Sequence, residues 1–259
     1  MLFNRIKSFY FNHLSLKIGK LDCHFQVKEK NVIRLIKKYN LKFESILDIG
    51  CANGLYSVRL CKKYPEVSYL QGFDRSEKSI CYARDLSRKI FNIKSNFYVS
   101  DIENTKINNK FDLILFLDCL QYASNKDFIF EQMRGSLKEN GHLILYVPPS
   151  DREYIGLPEF IYNRQPIYDI PYPTINDINE LFRRHGFTIV SQHWVGGKSI
   201  RYYMAFKYWL KSYHKSLPYF FFPFDVFFAC FDKRKKSFGY GLFFLLCHNK
   251  NTTNPTLPE

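Results

Sequence analysis

Two rhythms of apolar residues alternate from Ile46 onward. Short, nearly continuous apolar runs predict strands at "SILDIG", "VSYLQGFD", "NFYVSD", "FDLILFLD" and "HLILYVP". The fourth is almost wholly apolar, as expected of a strand buried on both faces. Between them, "GLYSVRLCKKY", "SEKSICYARDLSRKIF" and "NKDFIFEQMRGSLKEN" carry helical spacing. The first of these helices stops before Pro65, since a residue preceding proline avoids helical geometry. Ser76 stands as an N-cap with an acid after it, and Gly141 stands where the third helix needs a C-terminal cap. Strands alternating with helices of this length predict an α/β fold, a parallel sheet with helices on both faces.

Beyond Pro148 the rhythm changes. The stretch "DREYIGLPEFIYNRQPIYDIPYP" is rich in Pro and Tyr and too long for an ordinary connection, so it reads as a lid or binding segment. "TINDINELFRRHGF" predicts a helix capped by Thr174 with Gly186 just past its end, "FTIVSQHWV" a sixth strand, and "FGYGLFFLLC" a seventh. Residues 1–44 read as basic and helical, with Val32, Ile33, Leu35, Ile36 and Tyr39 in one apolar stripe and Lys28, Lys30, Arg34 and Lys37 largely off it. The predicted organisation is a helical substrate segment over 1–44, a core over 45–197, an aromatic and basic insertion over 198–236, a last core strand over 237–249 and a frayed tail over 250–259.

At 259 residues, with 46% hydrophobic residues, the chain can bury a substantial core. The formal net charge of +14 favours polyanionic partners: nucleic acid, anionic lipid or phosphorylated substrates. Seven cysteines, with no C-x-x-C pair, give neither a disulfide framework nor metal-ligand spacing. Reduced thiols and a charge-interrupted N-terminus without a signal-peptide core predict a cytoplasmic protein.

Candidate chemistry concentrates at the first turn, Gly50-Cys51-Ala52-Asn53-Gly54. A helix N-terminus exposes free N–H groups, and glycines let a ligand approach them. A tight turn that binds nothing is the plain alternative. The spacing downstream favours a ligand: Asp74 closes the second strand, 20 residues after Gly54, where a carboxylate can accept from ribose hydroxyls. Asp101 and Asp118 close the third and fourth strands, and Asp48 lies in the first. Ligands of parallel sheets bind outside the carboxyl ends of the strands, so the four acids should share one rim. The turn lacks the third glycine of a G-x-G-x-x-G dinucleotide site, and an acidic rim suits a cation better than a pyrophosphate.

"LDIGCANG" resembles the first motif of class I S-adenosylmethionine-dependent methyltransferases, with Ala52 in the middle glycine place. "GFDRS" and "VSDIEN" resemble the second and third motifs, "FDLILFLDCLQY" and "LKENGHLILYVP" the fourth and fifth, and "INELFRRHGFTIV" the last helix and sixth strand. The resemblance covers roughly residues 40–195 and the final strand. It implies a Rossmann-like three-layer sandwich, a mostly parallel seven-stranded sheet whose last strand is antiparallel. It implies S-adenosyl-L-methionine as cofactor, with Gly50, Cys51, Asn53 and Gly54 under the methionine moiety. Asp48 would order the turn and favour the ammonium through water. Asp74 would take the ribose hydroxyls, Arg75 would lie beside the adenine, and Asp101 with the Ile102 amide would read the adenine edge. Leu117 and Asp118 would line the methionine end.

The signals for an acceptor are mostly negative. "DCLQY" is not the N/D-P-P-Y motif of adenine amino-methylating enzymes, and Cys119 lacks the proline neighbour of a cytosine C5 nucleophile. Many small-molecule relatives place an acid–His pair where this chain has Gln121-Tyr122, so no His base is expected there. Tyr122 is a weak candidate for orienting a substrate, with packing the favoured reading; His185 and His193 read as structural or surface residues. Lys207, Lys211, His214 and Lys215 fall at i, i+4, i+7 and i+8, and Tyr219–Phe231 is intensely aromatic before Lys233-Arg234-Lys235-Lys236. That segment is shorter than a span of ~20 residues and is interrupted by Pro223 and Asp225. It reads as cover for the sheet edge or a homodimer contact, as an interfacial segment on the inner membrane face or against a lipid-linked substrate, or as a nucleic-acid contact. The resulting expectation is an enzyme that methylates oxygen of a small-molecule, lipid-linked or glycan-precursor acceptor. An RNA methyltransferase and a non-catalytic scaffold of the same fold are the alternatives.

Overall fold

Strand β1, Ser45–Ile49, is buried along its whole length and lies inside the sheet between two parallel neighbours. The computed structural model describes residues 23–90, 93–150, 172–213, 224, 227 and 241–248. In chain order these form α1 (Cys23–Lys38), β1, α2 (Leu55–Lys63), β2 (Tyr69–Asp74), α3 (Glu77–Ser87) and β3 (Lys94–Val99). There follow β4 (Phe111–Leu117), a 3₁₀ turn (Leu120–Tyr122), α4 (Lys126–Ser136), β5 (Leu137–Val147), α5 (Ile175–Arg184), β6 (Phe187–Val195), α6 (Lys198–Tyr213) and β7 (Gly241–His248).

The sheet runs β3-β2-β1-β4-β5-β7-β6. β1 to β5 are parallel, and β7 inserts antiparallel between β5 and β6. Strand order reverses between β1 and β4, so a crevice opens outside their carboxyl ends. This is the seven-stranded, three-layer arrangement with an antiparallel last strand that the family resemblance implies.

The pleat sends alternate residues to opposite layers. Leu113, Leu115 and Leu117 of β4 join the cluster holding Val32 and Leu35 of α1, Val58 of α2, Ile80 of α3 and Ile200 of α6. Ile114 and Phe116 join the opposite cluster, with Phe130 of α4 and Ile178 of α5. Each fully buried Leu, Ile or Phe contributes on the order of 1.5–3 kcal/mol, so the two layers anchor the rim from both sides.

The caps expected at Ser76, Thr174 and Gly186 form. The Ser76 hydroxyl accepts from the Ser79 amide at 3.3 Å. Thr174 and Asp177 form a reciprocal capping box, and Gly186 adopts φ +66° just past α5. One boundary differs. Gly141 caps no helix: α4 ends at Ser136 and β5 begins at Leu137, because Leu137 pairs with Phe111 and "LKEN" is drawn into the sheet. The β4–β5 register shifts between Phe111 and Leu113 beside Gly141. A Cβ on Gly141 would lie 2.9 Å from the Phe111 carbonyl oxygen, so glycine suits this irregular pairing.

The Pro- and Tyr-rich segment 151–171, residues 1–22 and most of 214–240 lie outside the described residues, and with them the proposed lid and the lysine cluster 233–236.

Candidate functional site

The first turn is left-handed at alternate residues: Gly50 at φ +65°, Ala52 at φ +47° and Gly54 at φ +68°. Glycine is needed at both ends. A Cβ on Gly50 would overlap the Cys119 thiol, and one on Gly54 would stand 2.9 Å from the Ala83 Cβ and 3.1 Å from the Phe97 ring. Ala52 tolerates the middle position because its side chain is exposed, while its amide donates to Asp74 Oδ2 at 2.9 Å. Asp74 also accepts from the Ser76 amide at 2.8 Å through Oδ1. One carboxylate thus ties the first turn to the second and stays partly exposed at the rim.

Asp48 lies beneath the turn, buried, and accepts from the Ser57 hydroxyl at 2.6 Å. Burial pushes its carboxyl up to about 7, against the Ser57 hydrogen bond and with help from the Asp74 charge. Ser57 is a site residue that strand-end reasoning missed; it lies one turn into α2, on the face toward β1.

Asp118 follows β4 in a left-handed conformation, φ +65°, with its amide donating to the Tyr146 carbonyl at 2.9 Å. Gln121 donates to its Oδ1 at 3.2 Å and to its carbonyl at 2.9 Å. Its Oδ2 accepts from Lys28 Nζ at 2.9 Å and lies 3.6 Å from His24 Nε2. Burial acts to raise this carboxyl, but Lys28 and His24 outweigh it and hold it down at about 2. Lys28 is therefore a buried site residue, contrary to the expectation that it lies off the buried face of α1. The reason is that α1 crosses the end of the sheet, where an ionised partner waits. Its cation also lies 5.3 Å from the Tyr146 ring centre and 5.8 Å from that of Tyr56.

Three of the four acids come together, Asp48, Asp74 and Asp118. Asp48 and Asp74 act on one another, and both act with Asp118 on the Cys119 thiol, which sits 3.6 Å from the Gly50 carbonyl. Burial and these charges push the Cys119 and Cys51 thiols up, which keeps both protonated and poor as nucleophiles. Asp101 is exposed and accepts from the Glu103 amide at 3.0 Å, fixing the turn that carries the half-buried Ile102. Glu103 in turn accepts from the amides of Ser124 and Asn125, at 2.5 and 3.2 Å, and joins that turn to the start of α4. Leu117 is buried at the end of β4, and Asn53 accepts from the Leu55 amide at 3.4 Å. Arg75 is exposed.

Tyr122 is 52% exposed, which sets aside a core-packing role. Burial and then Asp118 raise its phenol, while a hydrogen bond from Gln121 and the Arg75 charge oppose them. His185 contacts Asp127 at 2.8 Å and His193 contacts Asn31 at 3.2 Å, both structural as expected. Among the described residues no group of three His, Cys, Asp or Glu could hold a metal ion.

A protein-family profile described as a methyltransferase domain matches residues 41–198, more than half of the chain. The chain is 32% identical over 105 residues to a ubiquinone biosynthesis O-methyltransferase of Pelagibacter ubique, covering 40% of this chain and 42% of that one. It is 28% identical over 183 residues to a tRNA U34 carboxymethyltransferase of Aliarcobacter butzleri, covering 66% and 56%. It thus spans about half the length of these curated relatives or less. In structure it is similar to the O-methyltransferase of a trans-AT polyketide synthase multienzyme of Brevibacillus brevis, solved with S-adenosyl-L-homocysteine, at TM-score 0.59 and 16% identity over 87% of this chain and 73% of that one. The chain belongs to the methyltransferase domain family, in its class I, S-adenosylmethionine-dependent form.

Proposed function

We propose that this protein transfers the methyl group of S-adenosyl-L-methionine to an oxygen of a small-molecule or lipid-linked acceptor, such as a glycan precursor. The observation that carries the reading is the left-handed Gly50–Gly54 turn bound through Ala52 to Asp74, with Asp48 and Asp118 on the same rim. The donor set suits the cofactor: hydrogen-bond acceptors for a ribose, and carboxylates for a molecule bearing a sulfonium and an ammonium. Asp74 would take the ribose hydroxyls and Asp101, Ile102 and Arg75 the adenine. Gly50, Cys51, Asn53, Gly54, Asp48, Leu117 and Asp118 would surround the methionine. When bound, the cofactor supplies an activated methyl group. The protein's work is then to align an acceptor atom with it and to exclude water.

Acceptor contacts would come from α1, from Tyr122 and from the segments around 150–173 and 198–236. α6 favours a membrane-surface acceptor. Ile200 and Tyr203 are buried in the core, while Tyr202, Phe206 and Tyr213 are 54%, 38% and 66% exposed. Tyr202, Phe206, Trp209 and Tyr213 recur at helical spacing along one stripe, and Lys207 adds a partly exposed cation. An aromatic stripe on a chain of net charge +14 fits an anionic bilayer surface. Among the described residues no helix is long and apolar enough to cross a membrane.

The similarity to a tRNA carboxymethyltransferase, with the same charge, favours RNA as the second reading. Mass spectrometry of extracts from cells with and without the active protein tests the function directly. The proposed reading expects a small or lipid-linked species to lose one methyl group when the protein is inactive. A methyl group lost only from RNA selects the second reading.

A further inference from the structure

The Lys28 ammonium stands at the rim with its side chain 10% exposed, and it donates to Asp118 Oδ2 at 2.9 Å. An ammonium carries three N–H donors. Its other described contacts are the faces of Tyr146 and Tyr56, with ring centres 5.3 and 5.8 Å from the nitrogen. Such rings favour a cation without supplying an oxygen or nitrogen acceptor. Two N–H groups of Lys28 therefore have no such acceptor in the described contacts. A buried charged donor in that state points to an oxygen supplied by a ligand.

The groups around it are poorly placed to receive a proton. Both oxygens of Asp118 are engaged, Oδ1 by Gln121 and Oδ2 by Lys28. Asp48 lies beneath the turn, 3% exposed and bonded to Ser57. Burial keeps the Cys51 and Cys119 thiols protonated, and burial with Asp118 raises the Tyr122 phenol. Nε2 of His24 is turned to Asp118 and the Tyr146 hydroxyl. A hydroxyl acceptor needs a base, whereas a carboxylate arrives already ionised at neutral pH. Charge balance points the same way. Lys28 and Asp118 cancel, a sulfonium adds one positive charge, and a carboxylate beside Lys28 restores neutrality.

Resting on the oxygen-acceptor reading above, we propose that the acceptor is a carboxylic acid, bound as its carboxylate by Lys28 and released as a methyl ester. One carboxylate oxygen accepts from Lys28 Nζ while the other forms its bond to the methyl carbon. The carbon–sulfur bond breaks with its electron pair staying on sulfur, and no proton moves. A carboxylate and a sulfonium become a neutral ester and a neutral thioether, and the Lys28–Asp118 pair is left as it was.

The test supplies trideuteromethyl-labelled S-adenosylmethionine to an extract of cells lacking the active protein. Wild type, Lys28→Met and Lys28→Gln are added in parallel. Mild alkali then releases trideuteromethanol from an ester and leaves ethers, N-methyl and C-methyl groups intact. Calorimetry with S-adenosylhomocysteine reports the cofactor site independently of turnover, and thermal unfolding reports the fold. The expected result is label released by alkali and a rate at least ~10-fold lower in both variants. Their nucleoside affinity should stay within about threefold of wild type. Label held in an alkali-stable ether overturns the assignment and leaves the oxygen-acceptor reading standing. A variant that esterifies at the wild-type rate, or rates that fall only in step with nucleoside binding or folding, overturns the role of Lys28. Wild type that binds the nucleoside but labels only nitrogen or carbon, or nothing, defeats the oxygen-acceptor reading and this assignment with it.

Discussion

Lys28 and Asp118 are 90 residues apart in the chain, yet the ammonium and carboxylate meet at 2.9 Å. This pair, with the Arg59–Glu29 pair between α2 and α1, fastens the first helix over the carboxyl end of the sheet. Lys28→Met should leave Asp118 buried beside His24 without its main cation. The expected loss is about 1–2 kcal/mol, below that of a fully buried pair because water still reaches Asp118. The Asp118 carboxyl is depressed to about 2, so its stabilisation is present above the unfolded value near 3.8 and is lost as pH falls through about 2. Urea unfolding at pH 7 should separate wild type from Lys28→Met, and the gap should narrow by pH 3. A gap independent of pH would contradict the pairing.

Asp48 carries the opposite sign. Its carboxyl is raised to about 7, so the folded state holds a proton that the unfolded chain has released. Its contribution is complete below about 4 and is lost as pH rises through about 7. Asp48→Asn should lack this decline and gain on wild type between pH 5 and 8 in urea midpoint. A cation bound nearby should lower the Asp48 value, so S-adenosylmethionine binding near pH 7 should release protons. Calorimetry in two buffers of different ionisation heat reads that release; proton uptake would contradict it.

Two glycines should respond oppositely to alanine. Gly54→Ala forces a side chain into φ +68° and against Ala83 and Phe97, at a cost of about 2–4 kcal/mol. Gly135→Ala, inside α4 with nothing within 4 Å of the added Cβ, should stabilise by about 0.5–1 kcal/mol. Thermal unfolding of the two variants compares them directly.

The aromatic stripe of α6 predicts binding to vesicles of anionic lipid that weakens with salt. Changing Tyr202, Phe206 and Tyr213 together to Ser should reduce sedimentation with such vesicles several-fold while leaving the fold intact, because all three are exposed. Wild type that does not sediment with vesicles would remove the membrane from the account.

Much of the fold is legible in the sequence because its signals are local. "LDIGCANG" fixes a turn, Ser76 and Thr174 announce helix starts, and apolar runs mark buried strands. Asp74 and Asp118 are legible as strand ends. The boundary at Leu137 is not, because pairing with Phe111 decides it rather than helical spacing. Nor are Lys28, His24, Ser57 and Tyr146 legible as parts of one site. Their meeting depends on how α1 and α2 lie across the sheet, and no periodicity along the chain encodes a contact across 90 residues.

The proposed cofactor rests on the first turn, with its ribose on Asp74. Calorimetric titration of S-adenosylhomocysteine into wild type and Asp74→Ala tests it most directly. Wild type should bind one nucleoside per chain and the variant should bind at least ~10-fold more weakly, since both the ribose contacts and the support of Ala52 are lost. No binding by the wild type, or equal affinity in the two proteins, would contradict it.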